Sequence, residues 1–216
     1  MKISASFLGI KENLKENIEL LTNLDIDYLH LDVMDGDFVN NKTLPFEEIK
    51  QIISYNKPLD IHLMVSDAVK YIETYKLLNP KYITIHYELN NDPNFNLSNV
   101  IKKIKNYGIK VGISIKPQTS VDKLLPFLNE IDLVLVMSVE PGQGGQKFLP
   151  SSIWKIAQLA ELKENKDYNY QISVDGGINE KTINQIKEAD IAVIGSAITN
   201  GNYQKNIENI IDIINE

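Results

Sequence analysis

The sequence predicts an α/β protein of the (β/α)8 class, a TIM barrel of eight parallel strands with outer helices. Eight short apolar runs rich in β-forming residues occur along the 216 residues, and amphipathic stretches with helical spacing separate most of them. Nearly continuous apolar strands are typical of a parallel sheet that is covered by helices. Eight strand-helix units favour closure into a barrel, and an open doubly wound sheet is the alternative that fits the same pattern.

The predicted strands are, in chain order, 2–8, 27–33, 59–64, 82–87, 110–115, 133–138, 170–174 and 191–194. Amphipathic stretches with apolar residues at helical spacing lie at 11–23, 69–78, 97–107, 151–163 and 181–188. A last helix, expected at 206–214, would seal the barrel against the first one. Because no linker or low-complexity segment divides the chain, residues 1–216 are expected to form a single barrel domain.

The composition excludes several classes of protein. No apolar run approaches the roughly 20 residues that cross a bilayer, and the first residues lack the pattern of a secretory signal, so a cytoplasmic protein without a membrane segment is expected. The formal net charge is −7, and without a basic stripe we expect no nucleic-acid binding. The absence of cysteine excludes disulfides, thiolate metal ligands and a cysteine nucleophile. Arginine is absent too, so a bound phosphate would be held mainly by backbone N–H groups.

Polar side chains stand at the C-terminal ends of the predicted strands, where barrel enzymes build their sites. His30 and Asp32 are two residues apart in the second strand and therefore point to the same side of it. His62 lies in the third strand, and Asp175 follows the seventh. Unpaired buried imidazoles and carboxylates are costly, so four of them at one barrel mouth require mutual pairing or a cation. We therefore interpret the four residues as a site for one divalent metal ion.

The type of ligand restricts the metal without identifying it. Two imidazoles and two carboxylates suit zinc, ferrous iron, manganese or cobalt. Taken singly, each of the four residues also fits an ordinary core or turn position, and it is their convergence that favours a metal site. His86, the last of the three histidines, is interpreted as a neighbour of the site rather than a ligand, although a plain structural role fits it equally well. Glu88 is either its partner or an exposed residue.

Glycine-containing turns follow the sixth, seventh and eighth strands. Glycine lets backbone N–H groups approach an anion closely, and barrels commonly bind phosphate after strands seven and eight. These turns therefore predict a phosphate site, to which a serine hydroxyl could contribute, while the first turn also fits a flexible surface loop. The residues are Gly142, Gln143, Gly144 and Gly145 after strand six, Gly176 and Gly177 after strand seven, and Gly195 and Ser196 after strand eight.

Five segments together resemble the signature sequences of the ribulose-phosphate 3-epimerase family. They are HLDVMDG at 30–36, DIHLMV at 60–65, VLVMSVEPGQGGQKF at 134–148, SVDGGI at 173–178 and IGSAI at 194–198. Their order and spacing agree along nearly the whole chain, which is far more specific than any one of them alone. The resemblance implies a (β/α)8 isomerase that acts on a small sugar phosphate and forms a homo-oligomer.

The resemblance also implies roles for individual residues. His30, Asp32, His62 and Asp175 would hold one catalytic divalent metal ion per subunit, and the two aspartates would also be the acid/base groups. Residues 142–145 would cover the substrate, and Gly177, Gly195 and Ser196 would hold its phosphate. The implied substrate-binding set comprises Ser6, His62, Gly142, Gln143, Gly144, Gly145, Gly176, Gly177, Gly195 and Ser196. Family methionines that surround the reacting carbons match Met34, Met64 and Met137, which also fit plain core filling.

Epimerisation of a carbon next to a carbonyl requires that a proton is removed on one face and returned on the other. Asp32 and Asp175, from the second and seventh strands, are expected on the two faces of a planar cis-enediolate that the metal stabilises. The expected reaction is the interconversion of D-ribulose 5-phosphate and D-xylulose 5-phosphate, a step of the pentose phosphate pathway.

Three alternatives stay open. D-allulose-6-phosphate 3-epimerase shares the chemistry, and the segment 43–46 drifts toward it, whereas 144–147 and 174–177 keep the ribulose-phosphate form. A phosphate-binding barrel lyase or synthase would not need the four metal ligands. A non-catalytic phosphate-binding barrel would bind its ligand without exchanging the proton at C3.

Overall fold

The computed structural model describes all residues, 1–216, and contains a closed barrel of eight strands. Each strand is parallel to its neighbours, and β8 pairs with β1. This confirms the predicted (β/α)8 class, and the open doubly wound sheet is wrong. The strands are β1 Lys2–Ser6, β2 Tyr28–Met34, β3 Leu59–Met64, β4 Tyr82–His86, β5 Lys110–Ile115, β6 Leu133–Met137, β7 Gln171–Asp175 and β8 Ile191–Ile194.

Seven α-helices and four short 3-10 helices lie between and after the strands. None of these helices has the length and apolar character that crossing a membrane requires. The α-helices are α1 Leu14–Thr22, α2 Phe46–Ile52, α3 Ala68–Tyr75, α4 Leu97–Asn106, α5 Ser152–Lys166, α6 Ser196–Thr199 and α7 Tyr203–Asn215. The 3-10 helices are Lys76–Leu78, Tyr87–Asn91, Val121–Leu124 and Ile183–Ile186.

Two elements differ from the sequence-based expectation. The stretch 181–188 forms only the 3-10 turn Ile183–Ile186, whose two buried residues are three apart, and this spacing matches the three residues per turn of a 3-10 helix. Helix α2 had no counterpart among the predicted stretches. Only Ile49 is fully buried in this seven-residue helix, and Phe46 and Ile52, three residues to either side, pack partly exposed against the core, so the helical pattern of α2 is confined to one short apolar stripe.

The alternation of side chains along each strand separates two cores. In β2, Leu29, Leu31 and Val33 belong to the large core between the strands and the helices, whereas His30 and Asp32 alternate with them and therefore point into the barrel. The lower interior of the barrel holds a second cluster, with members such as Leu133, Leu135 and Ile191. The polar residues of β2 and β3 thus lie inside the barrel.

Candidate metal and active site

The register of the strands brings the four predicted metal-ligating residues together. Asp32 on β2 is directly opposite His62 on β3, and Asp175 is the last residue of β7. One ligand atom from each of His30, Asp32, His62 and Asp175 can be chosen so that all four atoms lie within 4.8 Å of one another. The side chains converge at the C-terminal end of the barrel, where the strand pattern places them.

His30 has one occupied and one free ring nitrogen. Its Nδ1 lies 2.9 Å from Oδ2 of Asp60, and the same oxygen accepts a hydrogen bond of 2.8 Å from the hydroxyl of Ser4. Its Nε2 lies 3.3 Å from Oδ1 of Asp32 but is buried without a hydrogen-bond partner. The unpaired nitrogen therefore faces the carboxylate of Asp32.

The residues present fit a divalent metal ion. A buried polar atom without a partner costs about 1–3 kcal/mol, and the free Nε2 of His30 is such an atom at the centre of the cluster. A cation bound there would use this lone pair and would also offset the negative charge of the two carboxylates. Two nitrogen and two oxygen donors are a set that borderline divalent metals accept.

The two aspartates of the cluster have different environments. Oδ1 of Asp32 lies 3.2 Å from Nδ1 of His62, and its Oδ2 accepts a hydrogen bond of 3.1 Å from the hydroxyl of Ser6. Burial would raise the pKa of Asp32, but the charge and hydrogen bonding of His30 and His62 outweigh burial and lower it. Burial and the nearby charge of Asp32 raise the pKa of Asp175 to about 6. A proton therefore binds far more readily to Asp175 than to Asp32, which suits the two carboxyl groups to different roles.

His62 and His86 belong to a hydrogen-bonded chain. Nε2 of His62 lies 2.9 Å from Nε2 of His86, and Nδ1 of His86 lies 2.9 Å from Oε2 of Glu88. Burial lowers the pKa of His86 to about 4. Of the two roles predicted for Glu88, the structure shows that it is the partner of His86 rather than an exposed residue. His86 itself is completely buried, and it contacts a member of the cluster without joining it.

A cavity of about 490 Å³ opens above the cluster. Asp32 and Asp175 line it, whereas His30, His62 and His86 are buried behind its wall and are not among the lining residues. Met64 and Met137 line this cavity, but Met34 lines a separate cavity of about 440 Å³. The other predicted residues in the wall are Ser6, Gly142, Gln143, Gly144, Gly145, Gly176, Gly177, Gly195 and Ser196.

Two glycines allow the loop after β6 to pack against the mouth of the barrel. Gly177 has a φ of +67°, and a Cβ atom on it would lie 2.3 Å from the backbone N of Phe148. Gly142 has a φ of +106°, and its Cβ would lie 2.7 Å from Cβ of Val39. The carbonyl of Gly142 also accepts a hydrogen bond of 2.6 Å from the side chain of Asn41. Side chains at these glycines would force the loop away from the cavity.

Asp60 and Lys11 are two charged residues of the site that the sequence reasoning missed. Asp60, the partner of His30, is two residues before His62 on β3, and the same alternation that paired His30 with Asp32 could have found it. Lys11 follows β1 and is the one lysine among the residues that line the cavity. An isolated lysine in a loop carries no sequence signal that separates it from other solvated lysines.

Fold and site together define a (β/α)8-barrel protein with a His2Asp2 cluster that could hold a metal ion next to a cavity of ligand size. A sequence model of the Ribulose-phosphate 3 epimerase family matches residues 2–199. The chain therefore belongs to that family and is an isomerase of the epimerase type, which confirms the family resemblance.

Individual relatives agree with this assignment. The chain is 38% identical over 202 residues to a ribulose-phosphate 3-epimerase of Helicobacter pylori strain J99, covering 92% of this chain and 90% of that one. It is 36% identical over 204 residues to the rice (Oryza sativa subsp. japonica) ribulose-phosphate 3-epimerase, cytoplasmic isoform, covering 91% of this chain and 86% of that one.

Solved structures show the same fold at low sequence identity. A 3-keto-L-gulonate-6-phosphate decarboxylase from Vibrio cholerae superposes with a TM-score of 0.70 at 11% identity, covering 99% of this chain and 97% of that one. A phosphoribosyl anthranilate isomerase from Thermococcus kodakaraensis gives a TM-score of 0.64 at 14% identity, with 99% and 98% covered. These likenesses concern the barrel alone.

Proposed function

We propose that this protein interconverts D-ribulose 5-phosphate and D-xylulose 5-phosphate by inverting the configuration at C3. The observation that carries the proposal is the pair of carboxyl groups of Asp32 and Asp175, which line one cavity and have pKa values shifted in opposite directions. Inversion next to a carbonyl needs one group that accepts a proton and one that donates a proton. The names of the relatives support the same substrate.

The two aspartates divide the proton transfer between them. The ionised Asp32 removes the C3 proton from one face of the substrate, and Asp175, which holds a proton more readily, returns one to the other face of the planar cis-enediolate. In the reverse direction their roles exchange. The hydrogen bond from Ser6 to Oδ2 of Asp32 fixes the direction in which this carboxylate points. Their strands, β2 and β7, are separated around the barrel by β1 and β8, which supports approach from different sides.

His30, Asp32, His62 and Asp175 would hold one divalent metal ion per subunit, with zinc, ferrous iron, manganese and cobalt as the candidates. When bound, such an ion withdraws electron density from the oxygens next to C3 and so makes the C3 proton more acidic. The buried, unpaired Nε2 of His30 is the feature that supports a metal in the working enzyme.

The rest of the cavity wall would bind and enclose the sugar phosphate. The turn residues Gly177, Gly195 and Ser196 line one part of the cavity, where backbone N–H groups and a hydroxyl would hold the phosphate. The loop 142–145 would cover the substrate and exclude water from the planar intermediate. Met64 and Met137 add apolar, polarisable walls. With the phosphate held, C3 would lie between the two carboxyl groups.

We further propose that the chain acts as a single domain, 1–216, in a cytoplasmic homo-oligomer of the pentose phosphate pathway. The family resemblance supports the oligomer and the pathway, and the name of the rice relative, a cytoplasmic isoform, supports the location.

The direct test is exchange of the C3 proton for deuterium, followed by proton NMR with ribulose 5-phosphate in D2O. We expect exchange together with formation of xylulose 5-phosphate, and we expect a strong chelator to suppress both. Allulose 6-phosphate is assayed in parallel, and faster turnover of this six-carbon substrate would reassign the specificity. Binding without exchange would contradict the proposed function and indicate a non-catalytic barrel, and insensitivity to the chelator would favour a lyase or synthase.

A further inference from the structure

A chain of hydrogen bonds leads from the metal-ligating His62 to a carboxylate outside the cluster. It passes from Nε2 of His62 to Nε2 of His86 over 2.9 Å and from Nδ1 of His86 to Oε2 of Glu88 over 2.9 Å. The second oxygen of Glu88, Oε1, accepts hydrogen bonds from the backbone N–H of Lys116, at 2.8 Å, and from the hydroxyl of Thr119. Both rings are completely buried, so the bond between them is shielded from solvent.

The donor and the acceptor of each hydrogen bond in this chain can be assigned by starting from Glu88, the end that is farthest from His62. Oε1 of Glu88 accepts two hydrogen bonds, from the backbone N–H of Lys116 and from the hydroxyl of Thr119, and such donors stabilise the ionised form of a carboxyl group. Glu88 is therefore ionised at neutral pH and can only accept hydrogen bonds. It follows that Nδ1 of His86 carries a proton and donates it to Glu88.

Because His86 is neutral, the position of its single proton decides which nitrogen of His62 carries a proton. The ring of His86 is completely buried, and burial disfavours the charged form of an imidazole, so the neutral ring has one proton, which lies on Nδ1. Its Nε2 is then an acceptor, and Nε2 of His62 must donate the hydrogen that lies between the rings. In a neutral His62 the lone pair consequently lies on Nδ1, the atom 3.2 Å from Oδ1 of Asp32 and 4.0 Å from Oδ2 of Asp175.

We propose that Glu88 is a positioning residue that acts through His86 to fix the Nε2–H tautomer of His62 and so present its Nδ1 lone pair to the metal. The inference rests on the proposed metal site. A hydrogen-bond partner on the second nitrogen is how proteins generally orient a ligating histidine. His30 has the opposite arrangement, because Asp60 occupies Nδ1 and Nε2 is left free. Two acids would thus select two different tautomers.

The surroundings of Glu88 are built to keep it in place. The ammonium group of Lys155 donates hydrogen bonds to the carbonyls of Lys116, Pro117 and Thr119 at 2.8, 2.8 and 2.6 Å. These bonds hold the loop that supplies both donors to Oε1 of Glu88. The ring of Phe38 packs on His86 with a centroid distance of 4.7 Å. The orientation of His62 therefore depends on residues of β4, of the loop after β5 and of α5.

The variant Glu88→Gln keeps the chain of hydrogen bonds but exchanges donor and acceptor in each bond between position 88 and His62, so it tests which group donates. Its amide oxygen can keep the bonds from Lys116 and Thr119, but its NH2 group then faces Nδ1 of His86 and donates to it. His86 must hold its proton on Nε2 and donate to His62, and the proton of His62 moves to Nδ1. The chain has only three histidines, so two-bond proton–nitrogen NMR of 15N-histidine-labelled protein can assign each tautomer.

In the apo protein, prepared with a chelator, we expect Nε2–H for His62 and Nδ1–H for His86 in the wild type, and both reversed in Glu88→Gln. Zinc affinity, measured by competition with a chromophoric chelator, should fall about 10–100-fold in the variant and stay unchanged in the control Glu19→Gln, whose glutamate is exposed on α1.

The wild-type spectrum decides the matter even if the variant does not fold, because a proton on Nδ1 of neutral His62 overturns the proposal. An unaltered tautomer or an unaltered zinc affinity in folded Glu88→Gln also overturns it. Failure of the proposed function has a different signature, namely absence of zinc binding or of C3 exchange in the wild type, and the tautomers of the apo protein are read independently of both.

Discussion

Nδ1 of His30 lies 2.9 Å from Oδ2 of Asp60, and this contact leaves Nε2 of the same ring as the free ligand atom. Replacement of Asp60 by asparagine keeps the size of the side chain but removes the charged acceptor, so the preference for the Nδ1–H tautomer weakens. We expect zinc affinity to fall about 10–100-fold, measured by chelator competition. The exposed Asp212→Asn on α7 is the control, and equal affinities in both variants would contradict the role of Asp60.

Asp32→Asn and Asp175→Asn should each fold but turn over ribulose 5-phosphate about 10²–10⁴-fold more slowly, because each face of C3 needs its own proton carrier. Circular dichroism checks the fold, and a coupled assay measures kcat. Near-normal epimerisation by either variant would reject the two-base scheme, and Asp212→Asn serves again as the control.

His62→Ala removes one of the four proposed metal ligands and leaves a gap beside His86. We expect the purified variant to hold less than one tenth of the metal of the wild type after dialysis, as measured by elemental analysis. Addition of excess metal should raise the metal content again, because a site with three remaining ligands still binds the ion, but more weakly. An unchanged metal content would count against a ligand role for His62.

The contribution of His86 to the stability of the apo protein should decrease as the pH falls from about 6.5 toward 4. Burial lowers the pKa of His86 from 6.5 to about 4, despite Glu88, while His62 and Lys116 add to the lowering. In this range His86 binds a proton in the unfolded chain but not in the folded protein. Its contribution to stability is therefore fully present above the unperturbed imidazole pKa of 6.5 and is lost on acidification. The contribution is at most on the order of 3 kcal/mol.

Denaturant unfolding between pH 7 and 4.5, with a chelator present, measures this dependence. As the pH falls over this range, the wild type should lose stability relative to His86→Gln, because the raised pKa values of Asp175 and His30 act in the opposite direction but do so in both proteins. Below about pH 4.5, Glu88 should add a further loss in the wild type, because its pKa is lowered to about 2 in the folded state. Equal slopes in the two proteins would show that His86 is not the titrating group.

Lys11→Gln should raise KM for the sugar phosphate by roughly two- to tenfold and leave kcat nearly unchanged, since the side chain would attract the phosphate equally in the ground and transition states. Lys11 lines the cavity, whereas Lys15 on α1 does not, so Lys15→Gln is the matched control. The effect should shrink at high salt because the ammonium group of Lys11 is exposed to solvent and is therefore screened. A change in kcat alone would contradict this assignment.

The sequence by itself determined the strands and the direction of their side chains, because the alternation within a strand is a local property. His30 and Asp32 had to share one side of β2, and the same two-residue spacing directs Asp60 and His62. Local patterns failed where the elements are short, as in the seven-residue α2 and in the four-residue 3-10 turn Ile183–Ile186.

Only the tertiary structure decided which atoms meet. The pairing of Asp32 with His62 depends on the register between β2 and β3, and the approach of Asp175 depends on closure of the barrel between β8 and β1. The contact of His62 with His86, and of His86 with Glu88, follows from ring orientations in a packed interior. Such orientations result from many long-range contacts at once, which no spacing along the chain encodes.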